Sequence, residues 1–421
     1  MCTRSIVVVL LITLQAAVLR ADPPALTLQS ALSEARQHAP ERTVADSTVA
    51  AAEARASGAG RRFTNDPVVT GRYQQLPPGG GTDRAWSLGL QWTLDFSGSW
   101  RPRRAAARAS VTAASQGRSV ALLDLDGEVA VAFAELADAQ RRVARTAQMV
   151  ALRELATTTA QRLRTTGAGN QLDVDAAVLD LRAAQVDAAT VRGDLEASRV
   201  RLARLLGRES STGLAVGDEI DVTAVPSATM LDNLIALDPR VKLAAAALDA
   251  ARLLADAENR AARPDVTVGI EGGRARHDIP AGSFATEPSL SGQWSDWDIS
   301  VSISVPLPLF NRNRVARATT TADVLEAEAL LTRVRADAAT RLQEARARLV
   351  AAIDAVNTAA DVPLIIDRES VLLDKALRAG GVELAAFAQQ AHRLVEVGRV
   401  YDDAVLSLRR ARAAWTRLIV Q

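Results

Sequence analysis

Catalysis and metal binding need residues that this chain scarcely has. Its histidines are His38, His277 and His392, far apart and without the His-x-x-x-His spacing that sets two imidazoles on one helix face. Cys2 is the single cysteine. It precedes an N-terminal apolar run, so the sequence beyond that run has no disulfide and no thiolate site. No Ser/His/Asp arrangement and no phosphate-cradling glycine loop can be assembled. Two glycine clusters stand out instead: Gly167, Gly169 and Asn170 before "QLDVDAA", and Gly380 and Gly381 before "VELAAFAQQ". Glycine permits the reversal between antiparallel helices. Asp173 and Asp175 follow the first cluster, where carboxylates suit a helix N-terminus. This is the chemistry of helix ends and ion contacts. We expect no enzyme activity, no cofactor and no metal site.

The elements that carry these turns are unusual in composition. Aromatics make up 3% of 421 residues and hydrophobics 48%, mostly Ala, Leu and Val. That profile fits long helices packed along their length. The formal charge of +1 gives no pull toward nucleic acid. "MCTRSIVVVLLITLQAAVLRA" has the layout of a secretory signal peptide, with Arg4, an apolar run from Ile6 to Leu14 and then small residues. We expect residues 1–21 to be removed, or less favourably 1–17. Losing Arg4 and Arg20 takes 50 basic residues to 48 against 49 acidic, a charge of −1. No later segment reaches the roughly 18 apolar residues of a membrane-spanning helix. An exported chain that meets a membrane must then do so as a barrel or a surface helix.

The sequence repeats itself. "WSLGLQWTLDFSGSWRPRRA" (86–105) aligns without a gap to "WDISVSISVPLPLFNRNRVA" (297–316), and "DPVVTGRY" (66–73) matches "RPDVTVGI" (263–270). Residues 22–206 and 228–421 each read as helix, β-hairpin, very long helix, glycine turn and returning helix, joined by 207–227. Ile299, Val301, Ile303 and Val305 alternate with Ser300, Ser302 and Ser304, as a half-buried strand does. The hairpins fall at about 66–97 and 264–307, with Pro/Gly/Ser-rich tips. Each strand has the length that crosses a bilayer in a tilted barrel. Trp86, Trp92, Trp100, Trp294, Trp297, Tyr73, Phe63, Phe96, Phe284 and Phe310 lie in or beside them, as in interfacial girdles. The alternative is the core of a small soluble β-sandwich.

Long helices are expected at about 101–166 and 312–379, returning at 172–206 and 383–418. Leu122, Val129, Leu136, Val143 and Val150 recur every seven residues, with Ala132 and Ala139 at a companion position, the pattern of close coiled-coil packing. Pro363 should kink the later long helix. At the strand-to-helix joints, Pro306 and Pro308 stop strand pairing. Leu307, Leu309 and Phe310 stay apolar near the interface, Asn311 caps a helix from Arg312, and Arg101 and Pro102 open its counterpart. Four strands cannot close, and an open sheet edge is not tolerated in lipid. Three copies give twelve strands, an even number within the bacterial range. The expected fold class is mostly α with a transmembrane β-barrel, a homotrimer continuing into an α-helical barrel.

The chain resembles TolC-type outer-membrane efflux proteins over essentially its whole mature length. The resemblance is carried by "LTLQSALSEARQHAPE", "PDVTVGIEGG", "SVPLPLFNRNRVA", the paired glycine turns and the two-fold repeat. "PLPLFNRN" and a proline like Pro363 look most like the heavy-metal and cation efflux branch. The resemblance implies a homotrimer in the bacterial outer membrane that extends into the periplasm. It would be passive and partnered by a periplasmic adaptor (membrane fusion) protein and an inner-membrane resistance-nodulation-division pump, without nucleic acid. It also implies that the glycine turns form the periplasmic tip, where the pore closes and the adaptor docks. Some members close the pore with aspartates past the second turn. Here Phe387 and Gln390 stand at those positions, and we expect them to form the constriction. Asp173 and Asp175, three copies of each, would make a negative ring that holds cations, or they serve only the helix dipole. Drug efflux, type I protein secretion, and a periplasmic adaptor or other coiled-coil structural protein stay open as alternatives.

Overall fold

The computed structural model describes residues 25–59, 66–76, 83–217, 220, 222–223, 231–279, 292–307 and 312–418. The expected leader, Phe63, Phe284 and most of the hairpin tips lie outside the described residues. The elements run α1 (Leu28–His38), α2 (Pro40–Gly58), β1 (Val68–Leu76), β2 (Asp83–Leu94), α3 (Trp100–Thr165) and α4 (Gln171–Leu205). They continue with α5 (Leu231–Leu237), α6 (Pro239–Ala261), β3 (Val266–Ile279), β4 (Gly292–Ser304), α7 (Arg314–Thr358), α8 (Val362–Arg378) and α9 (Leu384–Thr416). Two compact units result. A strand unit comprises Asp46–Ser119 and Pro239–Ala338, and a helical unit takes the segments up to Ala45, Val120–Asp238 and from Ala339 onward.

In the strand unit the four strands form one antiparallel sheet in the order β1-β2-β3-β4. The β2–β3 pairing, from Arg84↔Arg276 to Leu94↔Val266, joins the two hairpins. Directly paired residues share a face. One face therefore carries the rows Tyr73–Trp86–Arg274–Trp297, Gly71–Leu88–Gly272–Ile299, Val69–Leu90–Ile270–Val301 and Trp92–Val268–Ile303. The other carries Arg72–Ser87–Gly273–Asp298, Thr70–Gly89–Glu271–Ser300 and Thr93–Thr267–Ser304. The apolar face is not covered by the chain: Trp297, Ile299, Val301 and Ile303 are between 67% and 75% exposed. Such a contiguous apolar surface marks contact with lipid or protein.

The aromatic girdle needs one correction. Tyr73, Trp86 and Trp297 cluster at one end of the apolar face, the two tryptophans edge to face at 5.9 Å, and Trp92 sits at the other end. Trp294 falls on the polar face by register, against His277 at 4.9 Å, and Trp100 opens α3. In the same unit Arg118 pairs with Asp46 between α3 and α2, and Arg252 with Glu328 between α6 and α7 at 2.7 Å.

The helical unit is an alanine-rich bundle. The expected seam on α3 is buried at Leu125, Val129, Ala132, Leu136 and Ala139, against α1 (Ala31, Ala35) and α4 (Leu195, Leu202). α9 packs against α7 through Leu342, Leu349, Val356, Val405 and Leu408. Pro363 breaks the helix where a kink was expected. α7 stops at Thr358 and α8 starts at Val362, with the proline in its first turn, where its missing N–H costs nothing. The stretch Arg314–Arg378, which includes that break, is apolar enough in one window (mean hydropathy 1.7) to pass as a membrane span by composition. This qualifies the expectation that no such segment exists. Leu349, Ala352 and Val356 are buried against α9, whereas Val350, Leu364 and Ile365 are exposed, so packing within the described chain covers only part of this apolar stretch.

Candidate functional site

The two glycine turns have the same hydrogen-bonded geometry. After α3, Gly167 adopts φ +77°. Its N–H donates to the Arg164 carbonyl (3.1 Å), and the Ala168 N–H donates to that of Leu163 (2.9 Å). After α8, Gly380 adopts φ +72°, with Gly380 N–H to Leu377 (3.2 Å) and Gly381 N–H to Ala376 (2.9 Å). Both are Schellman caps, which need a residue at positive φ. A Cβ at Gly169 would lie 3.1 Å from that of Leu163, so this glycine also lets the chain fold back closely.

The helices that follow begin differently. Asn170 caps α4, its side-chain oxygen accepting from the Asp173 N–H at 2.8 Å. Asp173 and Asp175 are exposed, and Asp175 accepts from the Gln171 side chain at 2.6 Å. α9 has Glu383 at its cap position without a side-chain bond. Phe387 is fully buried among Met149, Leu152, Ile366, Leu373, Leu377, Ala391 and Leu394. Where a constriction was expected, the ring fills the core of its own bundle. Gln390, one turn on, is half-buried.

The strand-to-helix joints lie in the strand unit and differ from each other. In the first, Asp95 accepts from the Ser97 N–H (2.8 Å) and hydroxyl (2.5 Å) and from the Ser99 hydroxyl (3.0 Å). Ser97 and Ser99 are buried, and Gly98 takes φ +71°. Burial raises the Asp95 carboxyl, but the two hydroxyls and the Ser97 N–H outweigh it and hold the group below its usual range. Arg101 lies over Trp100 at 5.2 Å, and Pro102 is buried in the first turn of α3. In the second, Pro306 follows the end of β4, while Pro308, Phe310 and Asn311 lie outside the described residues. The helix starts at Arg314, two residues later than expected, after Asn313 at φ 55°. Asn313 donates to the Glu258 carboxylate of α6 at 2.7 Å.

A buried ionic cluster went unread in the sequence. Arg145 of α3 pairs with Asp402 of α9, and Asp138 lies 3.7 Å from Arg141. Burial pushes both carboxyls up. Arg145 and Arg141 oppose this at Asp402; Arg141 opposes it at Asp138, where Asp402 adds to the rise. The Arg145 side chain lies against Gly398, where a Cβ would come within 2.8 Å of its Nη1. A glycine in mid-helix was the only sequence signal for it.

These elements form a mostly helical chain with an uncovered four-stranded sheet. A family model described as outer membrane efflux protein matches residues 31–208 and 230–416. The chain belongs to that family. Outer membrane efflux proteins are transport channels, not enzymes, and this one is an outer-membrane efflux channel. Solved structures share its fold. A membrane protein from Pseudomonas aeruginosa is 18% identical with a TM-score of 0.74, covering 93% of each chain. CusC is 17% identical at 0.73, covering 94% of this chain and 92% of its own. The Campylobacter jejuni CmeC outer membrane channel is 12% identical at 0.72, covering 93% and 85%. No curated protein sequence matches the chain.

Proposed function

We propose that this outer membrane efflux protein is the exit duct of a tripartite system. Residues 1–21 are its leader. Three copies complete a 12-stranded barrel, and their helices continue as a tunnel into the periplasm. The observation that carries this is the sheet: four strands, an apolar face left bare, and β1 and β4 each paired on one side only among the described residues. In lipid such edges must be paired by another chain. The glycine turns with Asn170, Asp173, Asp175 and Gln390 form the tip where the pore narrows and a periplasmic adaptor docks. An inner-membrane resistance-nodulation-division pump supplies the energy, and the duct conducts passively.

Heavy-metal cations or small toxic compounds are the proposed cargo, on the strength of "PLPLFNRN" and Pro363. A deletion strain challenged with a panel of metal salts and antibiotics tests this. Sensitivity confined to metals supports the metal reading. Sensitivity confined to drugs, or loss of a secreted protein alone, moves the channel to drug efflux or type I secretion. A soluble periplasmic monomer on fractionation would overturn the duct itself.

A further inference from the structure

The apolar face of the sheet ends in a basic corner. Toward the hairpin tips, the rows Gly71–Leu88–Gly272–Ile299 and Tyr73–Trp86–Arg274–Trp297 are followed by Gln75–Arg84–Arg276–Ser295. Arg84, Arg274 and Arg276 stand together on the apolar face, and all three are exposed. The acids of the described strands are placed elsewhere. Asp83, Glu271, Asp296 and Asp298 belong to the polar face by register, and Asp278 stands one row beyond Arg276.

This corner is electrostatically unfavourable without a counter-ion. Arg84 lies directly opposite Arg276 across the β2–β3 pair, and like charges so placed repel. Arg274 is the diagonal neighbour of Arg84, roughly 7–8 Å away at the backbone, a gap that two long side chains can span. Arg274 donates to the Ser295 hydroxyl at 2.9 Å and lies over the Trp297 ring at 5.6 Å. Arg276 donates to the Gln293 side chain. These contacts steer the guanidinium groups along the sheet. No carboxylate pairs with Arg84 or Arg274 among the described residues. The planar fork of arginine matches a phosphate in bidentate fashion.

Below the arginines the apolar face is shaped. Gly272 precedes Arg274 by two residues on β3 and lies between Leu88 and Ile299, which are 59% and 75% exposed. A Cβ at Gly272 would meet nothing nearer than the Asp298 carbonyl at 4.0 Å, and one at Gly71, beyond Leu88, would meet nothing. The missing side chain leaves a shallow furrow between two large apolar ones. It leads from the arginines onto the exposed Ile270.

We propose that this corner binds a membrane lipid that carries phosphate on its headgroup. The phosphate sits among Arg84, Arg274 and Arg276, and an acyl chain lies in the furrow at Gly272. This rests on reading the apolar face as the lipid-facing wall of a barrel whose hairpin tips point outward, which makes the lipid one of the outer leaflet. The row of Tyr73, Trp86 and Trp297 marks the interfacial depth at which headgroups lie. A shared anion relieves the repulsion between Arg84 and Arg276, so the site selects phosphate over a neutral headgroup.

The test uses the purified full-length protein in detergent, with bound ligand counted by native mass spectrometry. The probes are diphosphoryl lipid A, the same lipid dephosphorylated, and inorganic phosphate. Diphosphoryl lipid A should bind about tenfold or more tighter than the dephosphorylated form. R84Q/R274Q should erase that preference, and R72Q, on the polar face, should keep it. G272V should fill the furrow and weaken both lipids alike. Equal binding of the two lipids by the unaltered protein overturns the site whatever the variants do. So does a preference that survives R84Q/R274Q. Displacement of lipid A by inorganic phosphate at equal concentration, or full binding by G272V, leaves a free-phosphate site and overturns the lipid. A preference lost in R72Q and kept in R84Q/R274Q turns the polar face toward lipid and overturns the barrel reading itself. An outer-membrane oligomer without any preference loses the site and keeps the duct.

Discussion

The two returning helices start from the same turn and end in different surroundings. α4 leaves Gly167 with a side-chain cap, an exposed acidic first turn and a bare apolar outer column. α9 leaves Gly380 uncapped and buries Phe387, Ala391, Leu394, Gly398, Asp402, Val405 and Leu408 in succession. The reason is position: α9 is packed between α3 and α7/α8, whereas α4 is an edge. Equivalent turns therefore do not make equivalent helices. α9 is held by tertiary burial, and α4 relies more on local capping, with Leu172, Leu179, Val186 and Val200 on its second face exposed.

Five substitutions sharpen that contrast. The largest is Arg145→Met, which leaves Asp402 buried without its partner and should cost about 3–5 kcal/mol by denaturation midpoint. Its pH dependence follows from the raised Asp402 carboxyl. A raised folded-state acid favours folding below its ordinary value, and that contribution is lost as pH climbs through the raised one. Removing Arg145, which opposes the rise, should make the deficit greatest at neutral pH and shrink it on acidification; a pH-independent deficit contradicts the ionic account. Next, Phe387→Ala should cost about 3–5 kcal/mol. Val174→Ala, at the corresponding place on α4, should cost about 1.5 kcal/mol, from roughly 0.8 per buried methylene. Equal losses would show α4 to be as enclosed as α9. The smallest effect reverses the order of the helices: Asn170→Ala should cost about 1 kcal/mol, and Glu383→Ala almost nothing, measured the same way.

The architecture was legible where a pattern is local. Ser/Ile alternation gave β4, and the sevens of Leu122 to Val150 gave α3, because period and face are properties of a few adjacent residues. Pairings across the chain were not legible. Nothing near Arg84 announces Arg276, and Arg145 and Asp402 are 257 residues apart. The burial of Phe387 was not legible either, because an aromatic just past a turn reads alike whether it faces a pore or a core; its packing against α3 and α8 is long-range. Asn311 was expected to cap and Asn313 turns the chain, a two-residue shift of the kind helix boundaries commonly show. The outer column of α4 was passed over because the inner stripe, Val174 to Leu202, already accounted for a helix.

The β2–β3 pairing also carries a consequence for how the molecule is made. β2 is complete at Leu94, but its neighbour begins at Val266, and residues of the helical unit are synthesised in between. Closing so long a loop is an entropic cost that must be met before any of those ladder bonds form. Biogenesis therefore cannot proceed half by half. The first hairpin has to wait, edge open, until the second is available, and the nascent chain is most vulnerable to wrong pairing during that interval.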